Sequence, residues 1–295
     1  MRTFDLDDLH ILNAVITHGG IAKAAYALHR VPSNVTTRIK QLEKRLGVEL
    51  FMKRGRSIVP TEEAYLLNNY AKRLLRLADE AEAAVRCRSP IGTLRIGSLE
   101  STASSRLPDL LARFHQANPD VRFELITGPT DRMIGRLARY DIEAAFVSEP
   151  FHAPGTAVSE PMFQEELVLI TAKNIDCIAS LKRLQTITLI SFTNGCSYRK
   201  LLEQWHSANC QGVSNSIEFA SYPAIVACVA AGTGISFVPR SVLSGLQSSH
   251  SVKAHRLPEP YATNTTHLIW HETQESLALK SFRQFIKQAQ PMPSL

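Results

Sequence analysis

At 295 residues the chain exceeds the usual size of one domain, and two or three units are expected. The apolar share of 44% is ample for packed cores, yet no run approaches the roughly 18 uninterrupted apolar residues that span a bilayer. The opening segment carries Asp5, Asp7 and Asp8 and no apolar run, so no secretory leader is expected and the chain is read as cytoplasmic. Cys87, Cys177, Cys196, Cys210 and Cys228 are odd in number and widely spaced, with no CxxC pair. Neither a disulfide framework nor a metal cluster is expected, and no cofactor.

The formal charge of +6 is unevenly spread. Residues 1–92 hold 15 Lys/Arg against 10 Asp/Glu, whereas residues 93–295 hold 18 against 17. Within 23–56, nine bases face only Glu43 and Glu49. Such an excess suits a polyanion, because each phosphate neutralised releases counterions; it also suits a plain solvated basic face.

A first helix is read over 5–18, with Leu6, Leu9, Leu12 and Val15 at helical spacing and acids near its positive end. Gly19 and Gly20 stop it. A short helix over 21–28 follows, rich in small residues that let another helix approach closely. Ser33 reads as the N-cap of a third helix, running from Asn34 to Leu46. Its apolar stripe is Val35, Ile39, Leu42 and Leu46, and its other face is polar, with short side chains at the N-terminal end. That pattern is what a helix inserted into a major groove requires. Residues 48–52 and 57–59 read as a hairpin with a basic tip over 53–56, a wing. The candidate DNA-contacting residues are Lys23, Arg30, Pro32, Ser33, Asn34, Thr36, Thr37, Arg38, Lys40, Arg54 and Arg56.

Thr61 caps a further helix expected to reach about Cys87, near 40 Å long at roughly 1.5 Å per residue. Leu67, Ala71, Leu74, Ala78, Ala81 and Val85 form a heptad seam along it, which points to pairing with a second copy. Ser89 to Gly92 read as a hinge. From Thr93 onward strands and helices alternate, including one helix from Ser101 to about Asn118, and an open, mostly parallel α/β sheet is expected. Ligands of such sheets sit beyond the carboxyl ends of the strands.

The chain resembles the LysR-type transcriptional regulators over essentially its whole length. The resemblance is carried by Ala24 to His29, by Ile39 to Phe51, by Thr61 to Ala64, and by Gly232-Thr233-Gly234-Ile235 with Val238-Pro239. It implies a winged helix-turn-helix over 1–60, a linker helix for dimerisation over 61–89, and an effector-binding domain over 90–295. That domain is expected as two Rossmann-like α/β subdomains of periplasmic-binding-protein type, at about 90–163 with 268–295 and about 164–267. Implied partners are double-stranded operator DNA, a small-molecule effector in the cleft between subdomains, a second copy or a tetramer, and RNA polymerase. The chain departs from many members at Pro32-Ser33 and Thr36-Thr37, which are base-reading positions. Arg30 to Asn34, Gly97 to Thr102 and Cys196 to Arg199 are similar to a subgroup that includes regulators of putrescine utilisation.

By the same resemblance the effector would meet Ser98, Glu100, Ser101 and Thr102, then Thr127 and Gly128, then Cys196, Ser197, Tyr198 and Arg199. Hydroxyls at a helix N-terminus ordinarily hold a carboxylate, but capping is an equal reading of Ser101 and Thr102. Glu100 would favour an amine, with Tyr198 or Tyr222 in cation–π contact, unless it is a solvated acid or a partner of Arg199. Arg199 argues instead for an acid or amino acid. Three other classes compete: a transport-type solute-binding protein, which leaves the helix-turn-helix unexplained; a regulator sensing oxidants through Cys196; and an enzyme. For the last there is no GxSxG, P-loop or HExxH, and His206 and His271 stand in ordinary surroundings.

Overall fold

The computed structural model describes residues 4–55, 57–86, 92–181, 186–210 and 212–289. Two compact units divide the chain, Met1–Arg88 and Ser89–Leu295. Arg56 in the expected wing tip, the helix end at Cys87 and the hinge residues Ser89, Pro90 and Ile91 lie outside the described residues.

In the first unit, α1 (Leu6–His18) starts on a reciprocal cap. Asp5 Oδ1 accepts the Asp8 N–H at 2.8 Å while Asp8 Oδ2 accepts the Asp5 N–H at 3.2 Å, satisfying donors that a helix start leaves open. Then come α2 (Ile21–Ala27), with Ala24 and Ala25 buried, and α3 (Pro32–Leu46), with Val35, Ile39 and Leu42 buried. The third helix begins earlier than expected: its N-cap is Val31, and Ser33 lies inside the first turn. Proline fits the first helical position because its missing N–H has no partner there and its φ is preset.

A charge cluster holds α1 to α3. The Asp8 side chain has no solvent exposure and takes Arg38 at 2.9 Å and Arg45 at 2.6 Å. Arg38 also reaches Asp5 at 3.0 Å and Asp7 at 3.1 Å. Backbone donation from Asp8, together with Arg38, holds the Asp5 carboxyl below its usual range.

The wing comprises β1 (Phe51–Arg54) and β2 (Ser57–Pro60), antiparallel with Phe51 opposite Pro60 and Arg54 opposite Ser57. Its first strand starts at Phe51, not Val48, because Glu43 Oε1 on α3 accepts the N–H groups of Leu50 at 2.8 Å and Phe51 at 3.0 Å. Lys53 and Arg54 therefore belong to the strand. Next is α4 (Glu62–Arg86), capped by Thr61 Oγ1, which accepts the Ala64 N–H at 3.2 Å. The expected seam is split. Leu67 and Ala71 pack within their own unit, where α4 lies on α1. The large apolar side chains left outward among the described residues of α4 are Tyr65, Leu66, Tyr70, Leu74, Leu77 and Val85.

The second unit runs β3 (Gly92–Ser98), α5 (Glu100–Ser105), α6 (Leu107–Ala117), β4 (Val121–Thr127), α7 (Thr130–Ala138), β5 (Ala144–Ser148) and β6 (Ala157–Ala172). It continues through α8 (Ile178–Leu181), β7 (Thr186–Ser191), α9 (Ser197–Asn209), β8 (Val213–Glu218), α10 (Tyr222–Ala230), β9 (Ser236–Pro239), α11 (Arg240–Gly245), β10 (Val252–Arg256), β11 (Thr263–His271) and α12 (Leu277–Ala289). The single helix expected over 101–118 is two helices broken at Arg106. Pro108 is the cause: its ring would collide with the carbonyl four residues back, at Ser104.

The sheets are mixed and not mostly parallel. β3 is parallel to β4 and β5, and β7 to β8. β11 is antiparallel to both β5 and β6, and β6 is antiparallel to β9 and β10. Two lobes result, and β6 runs through both. Its first half pairs with β11, and its second half, Leu167 to Ala172, pairs with β9 and β10. One lobe packs Phe114, Phe146, Leu268 and Phe282 in its core; the other packs Leu169, Leu202, Trp205 and Phe237. Gly234 lets the second lobe close: a Cβ there would lie 2.2 Å from the Thr188 carbonyl oxygen.

Truncating Asp8 removes the buried carboxylate that Arg38 and Arg45 share and opens a gap at the α1 cap. Asp8→Ala is expected to lower the unfolding free energy of the first unit by about 3 kcal/mol in urea denaturation, against less than about 1 kcal/mol for the exposed Asp7→Ala.

Candidate functional site

On α2, α3 and the wing, Lys23, Arg30, Ser33, Asn34, Thr37, Lys40 and Arg54 are exposed, together with Pro32 at the helix start. Three expected contacts stand differently. Thr36 is half-buried and spends its hydroxyl on the Pro32 carbonyl at 2.9 Å. Arg30 is exposed but paired with Asp7 through both guanidinium nitrogens, at 2.6 and 3.0 Å. An exposed pair of that kind is worth only about 0–1 kcal/mol, so a phosphate can replace the carboxylate. Arg38 is not a surface reader: its side chain is turned onto Asp5, Asp7 and Asp8. Burial pulls its pKa down, but those three carboxylates outweigh it and the net shift is upward. Tyr26, 86% exposed, stands one helical turn from Lys23, and charge-based reasoning misses it.

In the second unit a cavity of ≈ 290 Å³ opens between the lobes, at the small end of the roughly 300–1,000 Å³ of ligand sites. It is lined by the ends of β3, β4 and β5 and by the loops before α9 and α10, consistent with ligand binding beyond strand carboxyl ends. Of the expected residues, Glu100, Ser101, Thr127, Gly128, Cys196, Ser197, Tyr198 and Tyr222 line it. Ser98 and Thr102 do not. Both are buried, and the Ser98 hydroxyl donates to the Leu99 carbonyl at 3.0 Å.

Arg199 is also outside this cavity, which corrects its expected role. Its guanidinium is held by Glu203 at 2.8 Å, by Glu218, and by the Phe192 carbonyl, and the two carboxylates raise its pKa. The expected alternative of a Glu100–Arg199 pair is excluded with it. Glu100 makes no side-chain ion pair among the described residues. Arg132, one turn into α7, lines the cavity and likewise makes none. Sequence reasoning misses it because its signal, a base shortly after the Thr127-Gly128-Pro129 loop, is common on any helix.

Two hydroxyls complete the wall. Ser101 Oγ and Tyr198 Oη are buried, and the Tyr198 phenol lies close enough to the Ser101 and Ser148 hydroxyls for these to offset part of the effect of burial. Burial pushes the phenols of Tyr198 and Tyr222 up, so both remain neutral donors. Both hydroxyls stand where a ligand with acceptor oxygens could meet them.

The lobes are pinned around the cavity by buried polar contacts. Ser197 Oγ meets Thr130 Oγ1 at 3.0 Å and the Ser148 carbonyl at 2.6 Å. Asn264 Nδ2 donates to the Glu149 carbonyl at 2.8 Å, and its Oδ1 takes the Ser148 hydroxyl. Behind these, Arg106 forks onto the buried Glu165 at 2.7 and 3.0 Å, and Ser241 donates to the same carboxylate at 2.7 Å. Gly195, at φ 88°, carries the loop into α9 so closely that a Cβ would lie 3.1 Å from Asp131 Cβ.

Of the described cysteines, Cys196 is buried in the cavity wall and Cys228 is half-buried on α10. Burial raises the Cys196 thiol further than the neighbouring N–H groups of Arg199 and Tyr198 lower it. A peroxide sensor needs the opposite shift and access to solvent. Brief iodoacetamide treatment at neutral pH is expected to leave Cys196, which is buried, unlabelled in the native protein and to label it after denaturation, as read by peptide mass spectrometry.

Comparisons agree with this architecture. Residues 88–291 match the LysR substrate binding domain, and residues 6–65 match the bacterial regulatory helix-turn-helix protein, lysR family. The chain is 36% identical over 264 residues to the HTH-type transcriptional regulator GltR of Bacillus subtilis (strain 168), with 88% of each chain covered. It is 34% identical over 287 residues to the HTH-type transcriptional regulator SoxR of Arthrobacter sp. (strain TE1826), with 97% of each covered. The fold is shared with a full-length OxyR variant from Pseudomonas aeruginosa, at TM-score 0.75, 17% identity and full coverage of both chains. It is shared also with full-length CbnR complexed with its target DNA, at TM-score 0.67, 21% identity, and coverage of 97% of this chain and 100% of that one. No helix of the described residues is long and apolar enough to cross a membrane. A helix-turn-helix unit joined to a two-lobed binding domain, matched along almost all of its length, makes this chain a member of the LysR family of transcriptional regulators, and not an enzyme.

Proposed function

We propose that this regulator binds operator DNA as a dimer and responds to a dipolar metabolite of amino-acid type held between its lobes. One observation carries the ligand reading. A carboxylate, Glu100, and a guanidinium, Arg132, line the same ≈ 290 Å³ cavity, and neither is spent on an ion pair among the described residues. Glu100 receives an ammonium, and Arg132 with the hydroxyls of Ser101 and Tyr198 receives a carboxylate. A diamine such as putrescine would satisfy Glu100 and leave Arg132 without an anionic partner.

The dimer reading is supported by the outward stripe of α4. Leu77 is 61% exposed and Val85 88% exposed, and apolar residues at this spacing are buried by a second helix of the same kind. DNA binding is supported by the exposed polar face of α3 beside the basic strand of the wing.

Isothermal titration of the full-length protein with a panel of small amino acids and with putrescine tests the ligand. Binding of an amino acid is expected, weakened about tenfold or more by either Glu100→Gln or Arg132→Ala. Heat from putrescine alone, unchanged by Arg132→Ala, would overturn the dipolar reading, and so would no heat from any compound. Sedimentation velocity tests the dimer: Leu77→Glu is expected to shift the protein toward monomer, and an unchanged dimer would place the interface elsewhere.

A further inference from the structure

We infer, resting on the dipolar reading above, that the ligand is an amino acid whose side chain is uncharged, of moderate size, and received by the second lobe. Glu100 and Arg132 account for the ammonium and the carboxylate. The rest of the wall decides what else the cavity accepts.

The charges of the cavity all lie on one side. Glu100 follows β3 and Arg132 stands in α7, which follows β4. β3 and β4 are parallel neighbours, with Ser98 opposite Thr127, so both groups come from the first lobe. Gly128 leaves room for the arginine stem there: a Cβ would fall 2.9 Å from Met133 Cε and 3.4 Å from Arg132 Cδ. The second lobe contributes the loops before α9 and α10, including Phe192, Thr193, Ala220 and Tyr222. Every lining residue of these loops is neutral, since burial keeps the Cys196 thiol and the Tyr198 and Tyr222 phenols protonated.

Ionic groups close to that wall along the chain are already spent. Arg199 is held by Glu203 and Glu218, and Lys200 pairs with Asp131 at 3.1 Å. Glu165 is taken by Arg106 at 2.7 Å. A charged ligand side chain set against this wall would lose water and gain no counter-ion. An uncharged one loses little and gains apolar contact, for Phe192 and Tyr222 meet edge to face with ring centres 4.7 Å apart. The volume bounds its length. A cavity of ≈ 290 Å³ holds on the order of ten non-hydrogen atoms. The head of an amino acid takes about half of them, leaving about four or five for a side chain the size of leucine, methionine or glutamine.

Isothermal titration of the full-length protein with compounds matched in size but not in charge tests this. Glutamine is expected to bind about tenfold or more tightly than glutamate, and methionine than lysine. Thr193→Lys, which adds a cation to the wall of the second lobe, is expected to move the glutamine-to-glutamate ratio about tenfold toward glutamate. A merely structural disturbance would weaken both ligands alike. If Thr193→Lys fails to fold, Ala220→Lys on the neighbouring loop makes the same measurement. Glutamate or lysine binding as tightly as its neutral counterpart, or more tightly, would overturn the inference and leave the dipolar reading standing. So would a ratio unmoved by the added cation. No heat from these four compounds or from the wider amino-acid panel would overturn the dipolar reading and the inference together.

Discussion

The binding unit depends on one antiparallel pair, β6 with β11, for its two-lobed form. β6 is sixteen residues long and serves both lobes, first as the partner of β11 and then of β9 and β10. The ladder shifts register between Thr266 and His267, close to where Asn264, opposite Glu165, reaches across to Ser148 and Glu149. A continuous sheet thus runs from one lobe into the other. The walls of the cleft are the ends of parallel strands brought in from either side, so Ser101, Thr127, Ser148 and Thr193 stand beside Leu99, Phe192 and Tyr222 in the lining. A register slip of one residue in this pair would turn Glu165 and Asn264 to the opposite face.

The first unit is organised by a different constraint, a carboxylate without water. Asp8 caps its own helix and holds two arginines of α3. Removing it takes from Arg38 and Arg45 the carboxylate they share and from α1 one half of its reciprocal cap. The cluster therefore sets the angle of the reading helix and at the same time takes Arg38 out of the inventory of groups that can face DNA. Local charge is a poor proxy for available charge: of the bases counted over 23–56, Arg30, Arg38 and Arg45 are all paired with acids of the α1 start.

Much of this is legible in the residues. The stripe of Val35, Ile39 and Leu42, the Thr61 cap and the glycine ends of helices read directly, because periodicity and capping are local. Eight of the expected cavity residues line the cavity, carried by the resemblance rather than by any pattern of their own. The rest is lost for physical reasons. The early part of β6, with Glu160, Pro161 and Gln164, is an exposed-to-buried alternation too polar to stand out. The destinations of Arg38 and Arg199 depend on acids 33 and 19 residues away, beyond any window along the chain. Pro108, by contrast, is in plain view, and its break in the helix over 101–118 is readable.

That break has a mechanical consequence. A single rod from residue 101 to 118 would spread any push at its tip over many packed turns. Instead α5 is a stub of six residues, roughly 9 Å long at about 1.5 Å per residue. Glu100 and Ser101 at its head line the cavity; Arg106 just past its foot is clamped on Glu165, and Ser105 sits 3.4 Å from Ser241 of the opposite lobe. Packed interiors transmit strain, and over this short span Glu100 is joined to the Arg106–Glu165 clamp and, through Ser105, to Ser241 on α11.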